Sequence, residues 1–432
     1  MTLAGLALPE LSAFDPPLAG EGSLDPMGLA AISDRLADRL VPGLRARMQR
    51  IRFVTAMAIG AMVCETLIDE MSADGISTPS ICFEWLVVEG LVRRIPPQDM
   101  PRGVPGSQKA RAVVKRGQRL SAATYLKSPS VFGFNGIYKP FALDAQIVSS
   151  ELEPGPRCAE ITRSWEAEQG FVGFTDAVPG TDGGRLRTQL RDQVRDALHA
   201  GRCTTGPSSW LFGRLAASLH PYEAGPEERH SLRTLITTGD HESRTELAHH
   251  LERITDELSE AAMLDAVRPF TSPTLRRIID AVVAYERFAI LVDAAFRTLC
   301  AVSHSMGAQP LTATSVAQHV TIARCAQQLP SRYSRAAERM AAIDAEGNLE
   351  ERLGEFAIPR SANELVGLLL EHHERIQADK PPQGKRSWFE PFRDGWVVRD
   401  PYGQVEQPAL GNTYVHPVRV AALRRFLEDT VL

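Results

Sequence analysis

QKARAVVKRGQRLSAATYLK (residues 108–127) and VFGFNGIYKPFALDAQI (residues 131–147) are the stretch that decides the fold expected for this chain. Apolar residues at helical spacing, followed by a glycine, predict a helix over 108–116. A second, short helix is predicted over 121–127, where a following proline ends it. Two helices separated by a turn are therefore expected ahead of the third segment.

The third segment, residues 131–147, predicts a longer helix with one buried apolar face. Asn135 and Lys139 fall on its opposite face and are expected to point outward. Pro140 predicts a kink or a break, because a proline inside a helix removes one backbone hydrogen bond. This outward-facing helix is the candidate for contact with a ligand or a nucleic acid.

The order of these elements resembles that of winged helix-turn-helix DNA-binding proteins. Leu143–Val148 is similar to the end of a recognition helix in that family, and Leu152–Gly155 is similar to its wing. The resemblance covers Ser107 to Trp165 and implies that the third helix enters the major groove of DNA. The alternative is a helical subdomain that contacts no nucleic acid.

Charge is distributed unevenly just before and within this stretch. Between Arg93 and Lys127 the only acidic residue is Asp99, against nine arginines and lysines. Because phosphate contacts release condensed counterions, such a basic run is a source of DNA affinity. A solvated basic surface is the alternative. The residues predicted to contact DNA are Lys109, Arg111, Lys115, Arg116, Arg119, Lys127, Asn135 and Lys139.

Composition predicts a mainly α, multi-domain helical protein with an embedded winged helix-turn-helix and a small C-terminal α+β subdomain. The 432 residues carry a formal net charge of −5, which argues against a chain that is basic throughout. Helical periodicity predicts further helices over 29–40, 44–52, 81–94, 272–302, 314–329, 331–343 and 361–377. The helix over 81–94 starts at Ser77–Ser80 and carries an apolar core face, and the helix over 361–377 starts with a capping-box spacing. Strand is expected only in the wing, near 150–156, and in a hairpin near 388–402. Five regions are predicted: a partly ordered arm (1–26), an N-terminal helical region (27–106), the winged helix-turn-helix (107–170), a helical bundle (185–345) and the α+β subdomain (346–432).

Cysteine usage and hydropathy bear on where the protein works. The six cysteines form no Cys-x-x-Cys pair, and most lie in apolar helical contexts, which favours the reducing cytoplasm. The longest apolar run, Phe53–Cys64, is too short to span a bilayer. We therefore expect a cytoplasmic protein without a membrane segment.

A search for catalytic motifs predicts no catalytic residue, metal or cofactor. The sequence contains no phosphate-binding loop, no Gly-x-Ser-x-Gly and no His-Glu-x-x-His. Two adjacent pairs, His249-His250 and His372-His373, diverge by about a hundred degrees on a helix and do not suit one metal ion. Both pairs are interpreted as surface histidines.

A second cluster of cations and aromatic residues lies near the C-terminus. Aromatic faces beside arginines suit base stacking, and they equally suit a protein interface. A small subdomain that packs its tryptophans inward is the third interpretation. The candidate contact residues in this cluster are Lys385, Arg386, Trp388, Arg399, His416 and Arg419.

Three segments resemble parts of uncharacterised accessory proteins of bacterial anti-phage systems: Phe132–Lys139, Lys385–Glu390 and His416–Arg419. The resemblance implies no catalytic residues. The sequence thus predicts a non-catalytic DNA-binding accessory subunit, whose partners are double-stranded DNA and other protein subunits. A nuclease subunit with an unrecognised C-terminal site, and a purely architectural subunit, are the alternatives.

Overall fold

The computed structural model of the protein describes residues 25–307, 309–381, 383–403, 410–411 and 413–431. Within these residues the chain is mainly helical, with 19 α-helices and one antiparallel sheet of two strands. The predicted mainly α class is confirmed, whereas the winged helix-turn-helix within it is not. The predicted arm, residues 1–26, lies almost entirely outside the described residues.

The chain divides into two compact units, each assembled from separate segments. Unit 1 comprises Met1–Arg35 and Asp280–His416, and unit 2 comprises Leu36–Ile279 and Pro417–Leu432. The five regions predicted from the sequence were continuous stretches, so they divide the chain differently and stay a prediction.

Unit 2 consists of helices, and its borders fall within the first and the thirteenth of them. Its helices are α1 (Ala30–Leu40), α2 (Phe53–Cys64), α3 (Pro79–Arg94), α4 (Ser107–Lys115), α5 (Pro129–Phe132), α6 (Phe134–Asp144), α7 (Cys158–Gln169), α8 (Asp182–Ala200), α9 (Trp210–Ser218), α10 (Pro226–Thr237), α11 (Glu242–Leu251), α12 (Glu260–Val267), a 3-10 turn (Arg268–Phe270), the start of α13 (Pro273–Met306), and α19 (Val420–Asp429).

Helix α3 is the centre of unit 2, because it contacts α2, α4, α6, α8 and α9. Its start is encoded locally: the Thr78 hydroxyl accepts a hydrogen bond from the Ile81 amide at 3.4 Å, and Pro79 occupies the first turn. The predicted helix start at Ser77–Ser80 is thereby confirmed. Almost every residue of α3 is buried, two glutamates included.

Two helices predicted in unit 2 are absent. Residues 44–52 form turns, because the amides of Gln49 and Arg50 donate to the Tyr138 hydroxyl at 3.0 and 2.8 Å instead of to helix carbonyls. Residues 121–127 make only one turn and a bridge to Arg202. In both places a distant part of the chain supplies the hydrogen bonds that a helix would make locally.

Unit 1 is built around the long helix α13, which confirms the predicted helix at 272–302. The sequence predicted two helices, 314–329 and 331–343, separated at Pro330. This prediction is wrong, because one helix, α15, runs through Pro330. The further elements are α14 (Ala313–Ala317), α15 (Val320–Ala341), α16 (Leu349–Leu353), a 3-10 turn (Gly354–Ala357), α17 (Ala362–Ala378), β1 (Phe389–Phe392), β2 (Gly395–Val398) and α18 (Asp400–Gly403).

The hairpin predicted near 388–402 is confirmed. Strands β1 and β2 pair antiparallel, with Phe389 opposite Val398 and Phe392 opposite Gly395. Arg393 and Asp394 form the two-residue loop, and Arg393 takes a left-handed φ of 54°. Gly395 is required because a Cβ there would overlap the carbonyl oxygen of Leu311, which pairs with Trp396.

The prediction that His372 and His373 are surface histidines is wrong. His372 Nε2 lies 2.9 Å from the Met27 carbonyl, and His373 Nδ1 lies 2.9 Å from the Pro26 carbonyl. Burial lowers the pKa of both rings, that of His373 to about 4. The paired histidines therefore hold the segment that precedes α1 against α17 inside unit 1.

Candidate nucleic-acid interface

Helix α4 presents the exposed part of the basic run. Ala110 and Val113 are fully buried, whereas Lys109, Lys115 and Arg116 are exposed. Lys109 and Arg116, seven positions apart, share one side of the helix and its C-terminal cap, and Lys115 projects about a hundred degrees from Arg116. Helix α4 contains no acidic residue. Its exposed charges are therefore all positive, and we call Lys109, Lys115 and Arg116 the α4 basic face.

Two other predicted cations belong to the same run. Arg111 is half-buried on α4, and Lys127 is exposed before α5. Arg111 carries a buried Nη2 atom that has no hydrogen-bond partner among the described residues. Arg111 lies on the same side of α4 as Lys115, four positions before it, but is only half exposed, and Lys127 lies outside α4.

Arg119 does not point to solvent. Its Nε lies 2.9 Å from Oε1 of Glu89, a fully buried carboxylate on α3 that also pairs with Arg93 at 2.7 Å. Its guanidinium also donates to the Thr205 carbonyl. Arg119 thus neutralises the buried charge of Glu89, and its predicted contact with a DNA phosphate stays a prediction.

Helix α6, the predicted recognition helix, packs against α2 and α3. The prediction that Asn135 points outward is wrong, since only 7% of the residue is exposed. Its side-chain amide donates to the Ser80 carbonyl at 2.9 Å and to Glu84 Oε2 at 3.2 Å. Lys139 is half-buried and donates to the Ser150 carbonyl at 2.5 Å. The two side chains of α6 that were expected to contact DNA are therefore both engaged within unit 2.

Glu84 explains why α6 packs inward. Its carboxylate is 0% exposed and accepts hydrogen bonds from the Asn135 amide at 3.0 Å and from the Tyr125 hydroxyl at 3.1 Å. A side chain of α3 thus satisfies an amide in the first turn of α6, which a local cap would normally do. Burial raises the pKa of Glu84 to about 7, although these donors partly counter the shift.

Stability should depend on pH through Glu84. Because its folded-state pKa of about 7 lies above its ordinary value of 4.5, the contribution of Glu84 is fully present below pH 4.5 and is lost as pH rises through 7. We expect the free energy of unfolding of the parent, relative to Glu84→Gln, to fall by up to about 1.4 kcal/mol per pH unit across this window. Urea unfolding at a series of pH values measures the difference. Parallel profiles for the two proteins would contradict the assignment.

The glycines in Phe132–Gly136 permit this arrangement. A Cβ on Gly133 would overlap the Glu84 carboxylate, and a Cβ on Gly136 would overlap the backbone of Ser130. The expected break at Pro140 does not occur, because α6 continues through it to Asp144. The segment that resembles a recognition helix is thus a packed structural element.

The predicted wing, residues 150–156, is a tight turn with a single bridge between Val148 and Pro154. Leu152 takes a left-handed φ of 67° at its tip. The turn lies beside α6, where the Ser150 carbonyl accepts from Lys139. One bridge does not make the two-stranded wing of the family that the sequence resembles.

Within the C-terminal cluster, Trp388 packs inward. It is mostly buried, its ring stacks on Tyr402 at 4.4 Å, and its amide donates to His373 Nε2 at 2.9 Å. Lys385 is half-buried beside it, and its amide donates to the Gln377 carbonyl at 2.8 Å. These contacts agree with the interpretation in which a small subdomain packs its tryptophans inward.

The charged members of this cluster are paired with carboxylates. Arg386 bonds to Glu390, and Arg399 lies 3.8 Å from the same carboxylate. His416 Nδ1 lies 3.0 Å from the buried Glu286; burial opposes the charged ring, yet Glu286 raises the pKa of His416 above its usual value.

Arg419 belongs to unit 2, where it pairs with Asp38 at 2.6 Å. The other five candidates of the cluster belong to unit 1. The six residues therefore do not make up a surface within one unit.

Buried carboxylates on α3 were missed by the sequence interpretation, which assigned this helix a purely apolar core face. The available signal was the pair of glutamates, Glu84 and Glu89, inside the otherwise apolar run ICFEWLVVEGLV. Buried glutamates are rare unless they are paired, so they indicate partners elsewhere in the chain. These partners are Tyr125 and Asn135 for the first and Arg93 and Arg119 for the second.

Other features of the described residues bear on function. No helix there combines the length and the apolar character needed to cross a bilayer. No group of three or more His, Cys, Asp or Glu side chains there could hold a metal ion. All six cysteines are buried free thiols. Comparison of the chain with protein-family models, curated proteins and solved structures returned no match.

Proposed function

We propose that the chain binds double-stranded DNA without catalysis, through the α4 basic face. The observation that carries this proposal is the exposure of Lys109, Lys115 and Arg116 on a helix without an acidic residue. Cations in this arrangement suit the phosphates along one backbone of a duplex. Arg119 and Asn135 are not part of the proposed surface, because both are engaged inside unit 2.

The proposed contact does not depend on the base sequence of the DNA. Lysines reach phosphate oxygens as point charges and carry no information about the bases, so the same surface serves any duplex. Base recognition by α6, as in a winged helix-turn-helix, is not part of the proposal, because its packed side chains face α2 and α3. The proposed contact with DNA therefore rests on α4, and α6 has no part in it.

Removing the charges of the α4 basic face tests the proposal. We expect Lys109→Gln, Lys115→Gln and Arg116→Gln together to weaken binding to two unrelated duplexes by the same factor, at least tenfold at low salt. Fluorescence anisotropy with labelled 30-base-pair duplexes measures both dissociation constants. A loss confined to one duplex would contradict a phosphate contact.

A matched control keeps the change in net charge the same. Arg253, Arg324 and Arg335 are exposed and lie outside α4. We expect their joint replacement by glutamine to leave DNA affinity within about twofold of the parent, since none of the three belongs to the α4 basic face. If both triple variants lost the same amount of DNA affinity, the loss would come from net charge alone and the proposal for α4 would be wrong.

The wider setting, an accessory subunit of a bacterial complex that acts against phage, is supported only by the resemblance of three segments. Two of these are now seen to be packed: Phe132–Lys139 in α5 and α6, and Lys385–Glu390 beside α17. Copurification of other subunits with the chain from its host would support this setting. Magnesium-dependent nicking of plasmid by the pure chain would favour the nuclease alternative instead.

A further inference from the structure

A cavity of about 220 Å³ lies in unit 2 between α3 and the segment that leads into α5. Its apolar wall includes Ile76, Ile81, Leu126 and Pro129, and Lys127 stands at its rim. A second cavity, of about 350 Å³, adjoins it and shares Ile81 and Ser130 with it. Together the two offer the size and the mixed lining of small-molecule sites.

The unpaired indole N–H of Trp85 indicates that this cavity is a binding site and not a packing defect. The residue is 0% exposed and lines the cavity, and its indole Nε1 has no hydrogen-bond acceptor among the described residues. Buried tryptophan N–H groups usually have an acceptor, as Trp165 has in the Ser218 carbonyl at 2.9 Å, whereas the Nε1 of Trp388 in unit 1 lacks one among the same residues, as that of Trp85 does. An acceptor supplied by a bound molecule would complete the bonding of Trp85.

The polar side chains in the lining of the 220 Å³ cavity are hydrogen-bond donors or hydroxyls: the Trp85 indole, the Lys127 ammonium group and serines. No aspartate or glutamate lines this cavity, and Glu151 lines only the adjoining one. An occupant must therefore offer acceptors at its polar end, and a negative charge suits Lys127. The aliphatic wall requires an apolar body.

We propose that this cavity binds a small organic carboxylate with an apolar body, whose acceptor oxygens meet Trp85 Nε1 and Lys127. The site does not involve the α4 basic face, so its occupancy and the binding of DNA are separate properties. A failure of one proposal leaves the other standing.

Selective ¹⁵N labelling of tryptophan tests the proposal in the full chain. The protein has five tryptophans, and the indole signal of Trp85 is identified by its loss in Trp85→Phe. We expect titration with 4-phenylbutyrate to move the Trp85 signal to lower field while the Trp165 signal stays in place. If the Trp85 signal stays still up to a ligand concentration of about 10 mM, roughly ten times a millimolar dissociation constant, the proposal is wrong.

A matched ligand and a matched variant isolate the carboxylate. The alcohol 4-phenylbutanol has the same apolar body, and Lys127→Met keeps the length of the side chain without its charge. We expect Lys127→Met to raise the dissociation constant of 4-phenylbutyrate about fivefold, the size typical of one exposed charge pair, and to leave that of the alcohol unchanged. Equal binding of acid and alcohol in both proteins would overturn the assignment to carboxylates.

Discussion

Replacing Gly133 with alanine is expected to destabilise unit 2 by about 3 kcal/mol, the upper end of what overpacking usually produces. The φ of Gly133 is −77°, so the backbone itself accepts alanine. The effect arises because the new Cβ overlaps the buried Glu84 carboxylate, which must then leave the first turn of α6. Urea unfolding followed by circular dichroism measures the loss.

Gly213→Ala is the matched control. Gly213 lies inside α9, and no heavy atom lies within 4 Å of the position that its Cβ would take. The same chemical change should therefore stabilise the protein by up to about 1 kcal/mol, as expected for glycine to alanine in a helix interior. If both variants change stability in the same direction, the contact between Gly133 and Glu84 does not determine how α6 packs.

Replacing Arg52 with methionine should have a still larger effect, about 3–5 kcal/mol, because one partner of a buried ion pair is removed. The Arg52 guanidinium donates to both oxygens of Glu228 at 2.9 and 2.8 Å, and the two side chains are 2% and 0% exposed. The Thr55 hydroxyl adds a bond to the same carboxylate at 2.7 Å. In the variant, Glu228 stays buried with this one hydroxyl as its donor, and thermal unfolding measures the loss.

A double variant separates the ion pair from simple packing. Arg52→Met with Glu228→Leu removes both charges and keeps the volume, so it should recover most of the lost stability. If the double variant is less stable than Arg52→Met alone, the loss comes from the shape of the arginine side chain and its bond to the His220 carbonyl.

Local signals account for the parts of the fold that sequence analysis predicted. Helix α4 ends at Lys115, and Gly117 just beyond its cap has a left-handed φ of 71°. Helix α17 begins with the capping box of Ser361 and Glu364, and both of its reciprocal hydrogen bonds are present. The hairpin was predicted from Asp394 and Gly395, the second loop residue and the first residue of β2. In each case the residues that determine the element lie within four positions of it.

Contacts between residues distant in sequence account for the parts of the fold that sequence analysis did not predict. The Tyr138 hydroxyl accepts hydrogen bonds from the amides of residues 49 and 50, so the helix predicted over 44–52 does not form. Glu84 turns Asn135 inward across 51 positions. The pairing of Glu89 with Arg119 likewise converts a candidate phosphate ligand into part of the core. Helical periodicity carries no information on which buried charge meets which donor, so these contacts were not accessible from pattern alone.

The dependence of DNA affinity on salt tests the central claim most directly. Dissociation constants of the parent and of the triple variant at Lys109, Lys115 and Arg116 are measured for one duplex between 50 and 200 mM salt, the range in which such contacts respond. Each phosphate contact contributes about 0.9 to the slope of log affinity against log salt, so we predict that the variant loses about three units of slope. Equal slopes in the two proteins, or no salt-sensitive binding by the parent, would contradict the account.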